Sequence, residues 1–587
     1  MEISENKLQK EVLAWVSKNL GSEFQLRSGQ LETIVDIVQT FFEGEKNLYL
    51  LDAPTGSGKS IIAMIVAGFL TTYEMRGYIL ASDLALQTQY ENDFRRLKLG
   101  WGCIKGVDNY TCAVNEEKFS LGDCRIKNIS YEAAEELLCF RECGYLTNRK
   151  RAIQSPVALL NYSYFLIQRN YVEAQQQDKG KGVPFPKRDF TICDEAHKIL
   201  EIVQKHFSPR ITTDSYNRVD EFYNFLRRKG QMTPKLLPSI YKDLTKKILH
   251  EKDETVIFSL IKKLEMFLVE YVRCGSKLKE VISLTFPGEK EVPRDWRFAM
   301  AQADWLKDTH CKFEDYNHIL SQVGLDYMIK NPQGPDEVVF NCLEERYMMN
   351  KYFLEQSGFK LLMTATLGDP KEFLRMVGGK KCKYRRMEST FDYERSPIYF
   401  YPEKRMSLAQ RDSNFDWMRD EISSILQKHP TDSGIIHSGS YEISGKLYQS
   451  LPKDLQKRVI VYTNSKEKEE AMKQFMNGSA GVLMGPSLLE GINLLQDHSR
   501  FQIFAKVPFP SLGDKYVSAK MNYQPQWYNW STSLNILQGV GRSVRSETDW
   551  AVTYILDGCF KDVLNRSRSN FPPEFLKRIR LVKSVDI

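Results

Sequence analysis

Apolar positions along the chain fall into short continuous runs and longer stretches of helical rhythm. Asn47 to Ala53 reads as a short buried strand. A glycine-containing turn follows, then the apolar helix Ile61 to Leu70, and Tyr78 to Ala81 is the next strand. Strand, glycine turn, helix, strand marks a βαβ unit, in which the helix carries the chain back so that the strands lie parallel. Phe190 to Cys193 and Leu361 to Met363 extend the same sheet. Two stretches interrupt it: residues 101–150, rich in cysteine, and residues 200–340, charged and helical in spacing, as over Thr255 to Val272. Both are expected to be insertions into the first sheet domain. A second α/β unit starts near residue 400, with strands at Gly434 to Ser438, Arg458 to Tyr462, Gly481 to Met484, Phe501 to Phe504 and Ala551 to Leu556. Glu173 to Gly182 reads as an exposed flexible loop.

Length adds domain count. The 587 residues, 42% hydrophobic, exceed what one core holds, since single cores stop growing near roughly 250–300 residues. Charge adds little: 82 basic against 75 acidic side chains leave +7, which permits a polyanionic partner without requiring one. Met1 to Leu20 is charged and amphipathic, unlike a secretory signal. Ile61 to Leu70 falls short of the roughly 20 residues needed to cross a bilayer. The expectation is an intracellular protein, cytoplasmic or nucleoid-associated, or nuclear in a eukaryote. Eleven cysteines are then not expected to form disulfides, yet five of them lie between residues 103 and 143.

Candidate chemistry begins at Ala53-Pro54-Thr55-Gly56-Ser57-Gly58-Lys59-Ser60, between a strand and a helix. Glycines let backbone N–H groups approach phosphate, and the helix N-terminus favours an anion. Lys59 then reaches the terminal phosphates, and the Ser60 hydroxyl ligates Mg²⁺. Ala53 departs from the usual leading glycine. Asp194-Glu195 ends a later strand. There Asp194 suits a Mg²⁺ ion and Glu195 an attacking water, although an Asp-Glu pair is commonly a solvated loop. Arg542 and Arg545, three apart on one helix face, are candidates for neutralising the γ-phosphate, with a solvated basic face as the alternative.

Asp194-Glu195-Ala196-His197 is the box of DEAH helicases, and the ordered set of motifs resembles the XPD/DinG branch of superfamily 2. The resemblance runs through Phe24, Arg27 and Gln30, Leu80 to Gln89, Met363 to Leu367, Gly434 to Tyr441, Leu489 to Asn493 and Gln538 to Arg545. It implies an α/β fold of two RecA-like motor domains with an iron–sulfur insertion and a helical arch in the first. The boundaries expected are 1–100, 151–200 and 341–400 for the first motor domain, 101–150 for the cluster, 201–340 for the arch and 401–587 for the second motor domain. It further implies that Gln30 reads adenine with support from Arg27. His197 couples the ATP site to Thr364 and Thr366, and Glu490, Gln538, Arg542 and Arg545 face the nucleotide from the second lobe. A helicase moving 5′-to-3′ on single-stranded DNA and parting forked or tailed duplex is implied, acting as a monomer with no membrane association.

Four thiolates, Cys112, Cys124, Cys139 and Cys143, suit either a [4Fe–4S] cluster or a tetrahedral zinc. The flanking Lys105-Gly106, Asn109-Tyr110 and Gly144-Tyr145 resemble the branch's iron–sulfur insertion and favour the cluster. Cys103 is a fifth thiol able to replace one ligand, Cys124 first. Buried thiols packing as small hydrophobes are the structural alternative. Thr88, Gln89, Ser438, Ser440, Tyr162, Tyr164 and the run Arg149-Lys150-Arg151 are candidate strand contacts. Trp527, Tyr528 and Trp530 read as core packing before a stacking platform. Rival functions are a DNA-stimulated translocase that separates no strands and a catalytically weak nucleic-acid scaffold.

Overall fold

The computed structural model describes residues 4–582 apart from 128, 130, 173–184, 289, 380, 390–392, 479–480, 487, 489–497 and 545–548. Two seven-stranded sheets organise it, and all their pairings are parallel. The first runs, edge to edge, Cys382–Arg386, Leu48–Asp52, Phe359–Thr364, Phe190–Cys193, Gly77–Ala81, Val157–Asn161 and Gly102–Cys103. Leu48–Asp52, Gly77–Ala81, Phe190–Cys193 and Phe359–Thr364 are buried at every position. Both faces are therefore covered, which is why these strands appear in sequence as unbroken apolar runs rather than as alternation. Helix Lys59–Thr71 buries every residue from Ile62 to Leu70. Helix Glu5–Leu20 lies against it so closely that a Cβ on Gly68 would stand 2.1 Å from the Trp15 ring.

The second sheet runs Val459–Val461, Val482–Gly485, Gly434–His437, Phe501–Phe504, Val552–Ile555, Ile398–Phe400 and Ile579–Leu581. Strands Val157–Asn161, Cys382–Arg386, Gly102–Cys103, Ile398–Phe400 and Ile579–Leu581 are additions to the sequence reading. Most are edge or short strands with mixed burial, so no apolar run announces them.

Between the strands of the first sheet lie four helices, Ser215–Arg228, Pro238–His250, Glu254–Thr285 and Arg294–Val323. The last two pair along their length, and a Cβ on Gly275 would meet that of Ala303 at 2.8 Å. Beside the helices expected from the helical spacing of this stretch, there are also strands. Arg210–Thr212, Glu337–Cys342 and Met328–Gly334 form an antiparallel three-stranded sheet. Val338, Phe340 and Cys342 face its buried side, a period-two pattern too short to stand out beside charged helices. The Glu173–Gly182 loop lies outside the described residues.

Candidate functional site

The first sheet delivers two carboxylates and one glycine loop to a common edge. After Asp52 the Ala53 N–H donates to the Thr364 carbonyl at 2.9 Å, and the chain turns through part-exposed Pro54 and Thr55 into the glycines. Gly56 and Gly58 hold φ of +84° and +78°, a region open to glycine at little cost. A Cβ on Gly58 would sit 2.4 Å from Gln30 Nε2. Gln30, only 3% exposed, donates to the Ser57 carbonyl at 2.7 Å and accepts the Arg27 N–H at 2.8 Å. The Arg27 guanidinium donates to the Gly56 carbonyl. Arg27 and Gln30 thus brace the loop, and both amide atoms of Gln30 are engaged in doing so. A cavity of about 560 Å³ beside them is lined by Phe24, Gln25, Arg27 and Ser28 among others. Ser57 Oγ is buried with no partner among the described residues. An orphaned hydroxyl in a glycine loop at a helix N-terminus fits a phosphate oxygen. Lys59 Nζ stands 3.4 Å from the Ala53 carbonyl.

Asp194 follows the buried strand Phe190–Cys193 and is 2% exposed. Its Oδ2 accepts the Tyr90 hydroxyl at 2.8 Å, and its Oδ1 accepts the Glu195 N–H at 2.9 Å. Burial, reinforced by Glu195, pushes its carboxyl above the usual range, while Lys59 and Tyr90 oppose the shift. A buried carboxylate with a hydroxyl neighbour is an all-oxygen donor set that fits a hard divalent cation. Glu195 takes φ +50°, a left-handed conformation uncommon outside glycine, which turns the next residues into a short 3₁₀ turn. Asp52, beside Lys59, is pushed up to about 6 by burial against the pull of Arg386.

His197 joins the lobes. Its Nδ1 lies 2.8 Å from Thr364 Oγ1, whose oxygen also accepts the Thr366 N–H at 3.1 Å. Its Nε2 lies 2.7 Å from the amide of Gln538 on helix Pro525–Val540 of the second lobe. Arg542 follows that helix with its N–H on the Gly539 carbonyl at 3.1 Å. Its charge reaches buried His437, which is held down at about 4 chiefly by burial. Glu490 and Arg545 lie outside the described residues. Tyr90 falls one residue beyond the Leu80 to Gln89 stretch and was missed by sequence reasoning.

Cys112, Cys124, Cys139 and Cys143 line one cavity of about 180 Å³. Burial, then Cys143, Cys112 and Cys139 in turn, push the Cys124 thiol up to about 12. Cys103 lies elsewhere: it pairs with Leu159 in the first sheet and accepts from Gln87 at 3.7 Å. Tetrahedral zinc with Zn–S near 2.3 Å would bring its sulfurs within about 3.8 Å of one another. Among the described residues no three of these thiols come within 4.8 Å. A cavity walled by four thiols is a sulfur donor set of the kind that holds a metal centre.

Several candidate strand contacts are corrected. Tyr162 and Tyr164 are 1% and 4% exposed; their hydroxyls meet the Asp194 carbonyl and Tyr145. Ser438 is fully buried against Ser444, and Ser440 caps helix Tyr441–Ser450. Arg149 is buried over the Phe185 ring. Tyr162, Tyr164 and Ser438 follow strand ends and pack into the core, Arg149 is buried within helix Gly144–Gln154, and Ser440 is taken up as a helix cap. Thr88, Gln89 and Arg151 remain exposed. Trp530 is buried with its N–H on the Leu367 carbonyl at 2.9 Å.

Residues 23–227 match the model of the type III restriction enzyme res subunit, and residues 422–576 match that of the helicase C-terminal domain. A probable ATP-dependent helicase of Methanocaldococcus jannaschii is 20% identical over 89% of this chain and 90% of its own. S. tokodaii Xpd4 superposes with a TM-score of 0.60 at 14% identity, and a solved XPD helicase with 0.59 at 16%; each match covers 95% of this chain and 100% of the other. No described helix is long and apolar enough to cross a membrane. Two helicase-type domain matches in motor order, a helicase relative along nearly the whole chain and the XPD architecture make this chain similar to the XPD-like helicases of superfamily 2.

Proposed function

We propose that this ATP-dependent helicase moves on single-stranded DNA, 5′-to-3′ by its family resemblance, and that an iron–sulfur domain helps it part duplex. The observation that carries the DNA reading is the single cavity walled by four cysteines, set in the chain between the phosphate loop and the acidic strand end. Backbone N–H groups of Gly56 to Ser60, the Ser57 hydroxyl and Lys59 bind the phosphates. Ser60 and Asp194 would hold Mg²⁺, which would supply positive charge against the nucleotide phosphates. Glu195 orients the attacking water and takes its proton on a carboxylate oxygen. Arg542 and Arg545 neutralise charge from the second lobe, a contribution of about 10³–10⁵ in rate for such arginines. The Gln538–His197–Thr364 chain of contacts then links lobe closure to the hydrolytic site.

Cys112, Cys124, Cys139 and Cys143 would hold the cluster, which supplies a covalent staple to a domain too small for a large core of its own. Fork-displacement assays on DNA and RNA, with iron analysis of anaerobically purified protein, test the proposal. The expected results are displacement of 5′-tailed DNA only and about four irons per chain. Cys124→Ser should lose iron and Cys103→Ser keep it. Lys59→Ala should abolish ATPase while strand binding persists. DNA-stimulated ATPase without displacement would favour the translocase. Equal displacement of RNA forks would overturn the DNA assignment, and stoichiometric zinc without iron would overturn the cluster.

A further inference from the structure

The cysteine cavity is not closed by the cysteine domain alone. Gly288, in the turn joining the two long helices of the other insertion, lines it together with the four thiols. A polar seam holds that turn in place. Lys127 Nζ, on a residue 5% exposed, donates to the Gly288 and Lys290 carbonyls at 2.9 and 2.5 Å. Asp123 Oδ2 accepts the Val292 N–H at 2.9 Å. The Ser283 hydroxyl donates to the Lys127 carbonyl. Arg297, its side chain 6% exposed, spans Glu291 at 3.0 Å, Glu117 at 3.5 Å and Asp123 at 3.6 Å.

The anchors on the cysteine side are not scattered. Asp123 and Lys127 bracket the single helical turn Asp123–Ile126 that carries Cys124. Moving the turn at Gly288 therefore strips the bonding partners from the segment that presents one thiol, and removes one wall from all four. We propose that this turn is a removable wall of the cysteine cavity, so that parting the two insertions opens the thiols and whatever they hold to solvent. The proposal rests on the cluster reading for the identity of the cargo, but not for the wall itself. Hydrogen bonds and ion pairs exchange for water when a seam parts, whereas apolar contacts do not. A seam of this composition is accordingly suited to reversible opening.

The test is the rate at which a ferrous chelator removes iron, followed anaerobically by the loss of absorbance near about 400 nm. Arg297→Ala and Lys127→Met should each lose iron at least about tenfold faster than the unaltered protein, as expected from removing charged hydrogen bonds. Lys277→Ala, which removes an exposed pair with Glu280 elsewhere on the long helix, should match the unaltered rate. If Arg297→Ala fails to take up iron, Lys127→Met decides, because its unbranched apolar side chain keeps most of the buried packing. Unchanged chelation rates in an iron-loaded Lys127→Met protein overturn the wall. If the unaltered protein contains no iron, the cluster reading has failed instead. The wall is then read from thiol modification of the metal-free chain, which the same variants should accelerate and Lys277→Ala should not.

Discussion

His197→Ala isolates the contact between the lobes. The imidazole lies 2.8 Å from Thr364 and 2.7 Å from Gln538, with the Glu195 carboxylate 3.4 Å away. Thr364 is fully buried, so its hydroxyl cannot replace the lost partner with bulk water. The Gln538 amide is only half-buried and recovers hydration once the lobes separate. A net neutral hydrogen bond contributes about 0.5–1.5 kcal/mol, and a buried group left without a partner costs about 1–3 kcal/mol. The closed arrangement should therefore lose about 2 kcal/mol relative to the open one. If hydrolysis occurs in the closed arrangement, strand-stimulated kcat falls about 30-fold. The cross-lobe part is separable by a double-mutant cycle with Gln538→Ala. Each residue acts through the other, so the double variant should be about fivefold better than the product of the two single losses, a coupling of about 1 kcal/mol. Steady-state ATPase at saturating single strand and nucleotide measures all four corners. A double variant that matches the product of the singles within a factor of about two would refute the contact as a transmitting element.

Other outcomes follow from single positions. Gly58→Ala forces a side chain into φ +78° and against Gln30; nucleotide affinity by fluorescent-analogue titration should fall at least about tenfold, from about 1–2 kcal/mol of strain, with unchanged circular dichroism. Tyr90→Phe removes the hydroxyl that orients Asp194, so the Mg²⁺ concentration for half-maximal ATPase should rise about tenfold, with less effect on saturating kcat. His206 is held down at about 4 by burial, with Lys312 reinforcing. The unfolded chain therefore binds the extra proton, and the stability this neutral ring allows is complete above about pH 6.5 and is lost as pH falls towards 4. Thermal unfolding of His206→Gln across that window should flatten by up to about 3 kcal/mol.

Much of the motor was legible because parallel strands buried on both faces announce themselves locally. Leu48–Asp52, Phe190–Cys193 and Phe501–Phe504 needed no partner to be recognised. The phosphate loop was legible for the same reason, since its glycines answer to local φ and to one neighbour. What the sequence hid is what two distant segments decide together. Tyr162 and Tyr164 look like stacking side chains until the strand end at Asp194 and the Tyr145 ring close over them. That the Gln30 amide also bonds the Ser57 carbonyl is visible only once the fold brings the two together. Cys103 and Cys124 cannot be ranked from spacing, because only the fold sends one into a sheet and the other into the cavity.

The long-range contacts also differ in burial and in charge. His197 and Gln538 are 341 residues apart and meet through a single side-chain contact of about 1 kcal/mol. Lys520 and Glu345 also join the two halves, from helices Lys515–Tyr523 and Glu345–Tyr352, but their side chains are 3% and 5% exposed. Tyr516 donates to the same carboxylate at 2.9 Å, and the Trp527 ring lies 4.3 Å under the ammonium. Removing either partner of a buried pair of this kind would leave an uncompensated charge and cost about 3–5 kcal/mol. The two halves thus meet through a half-buried contact at His197–Gln538 and through a buried charged pair at Lys520–Glu345.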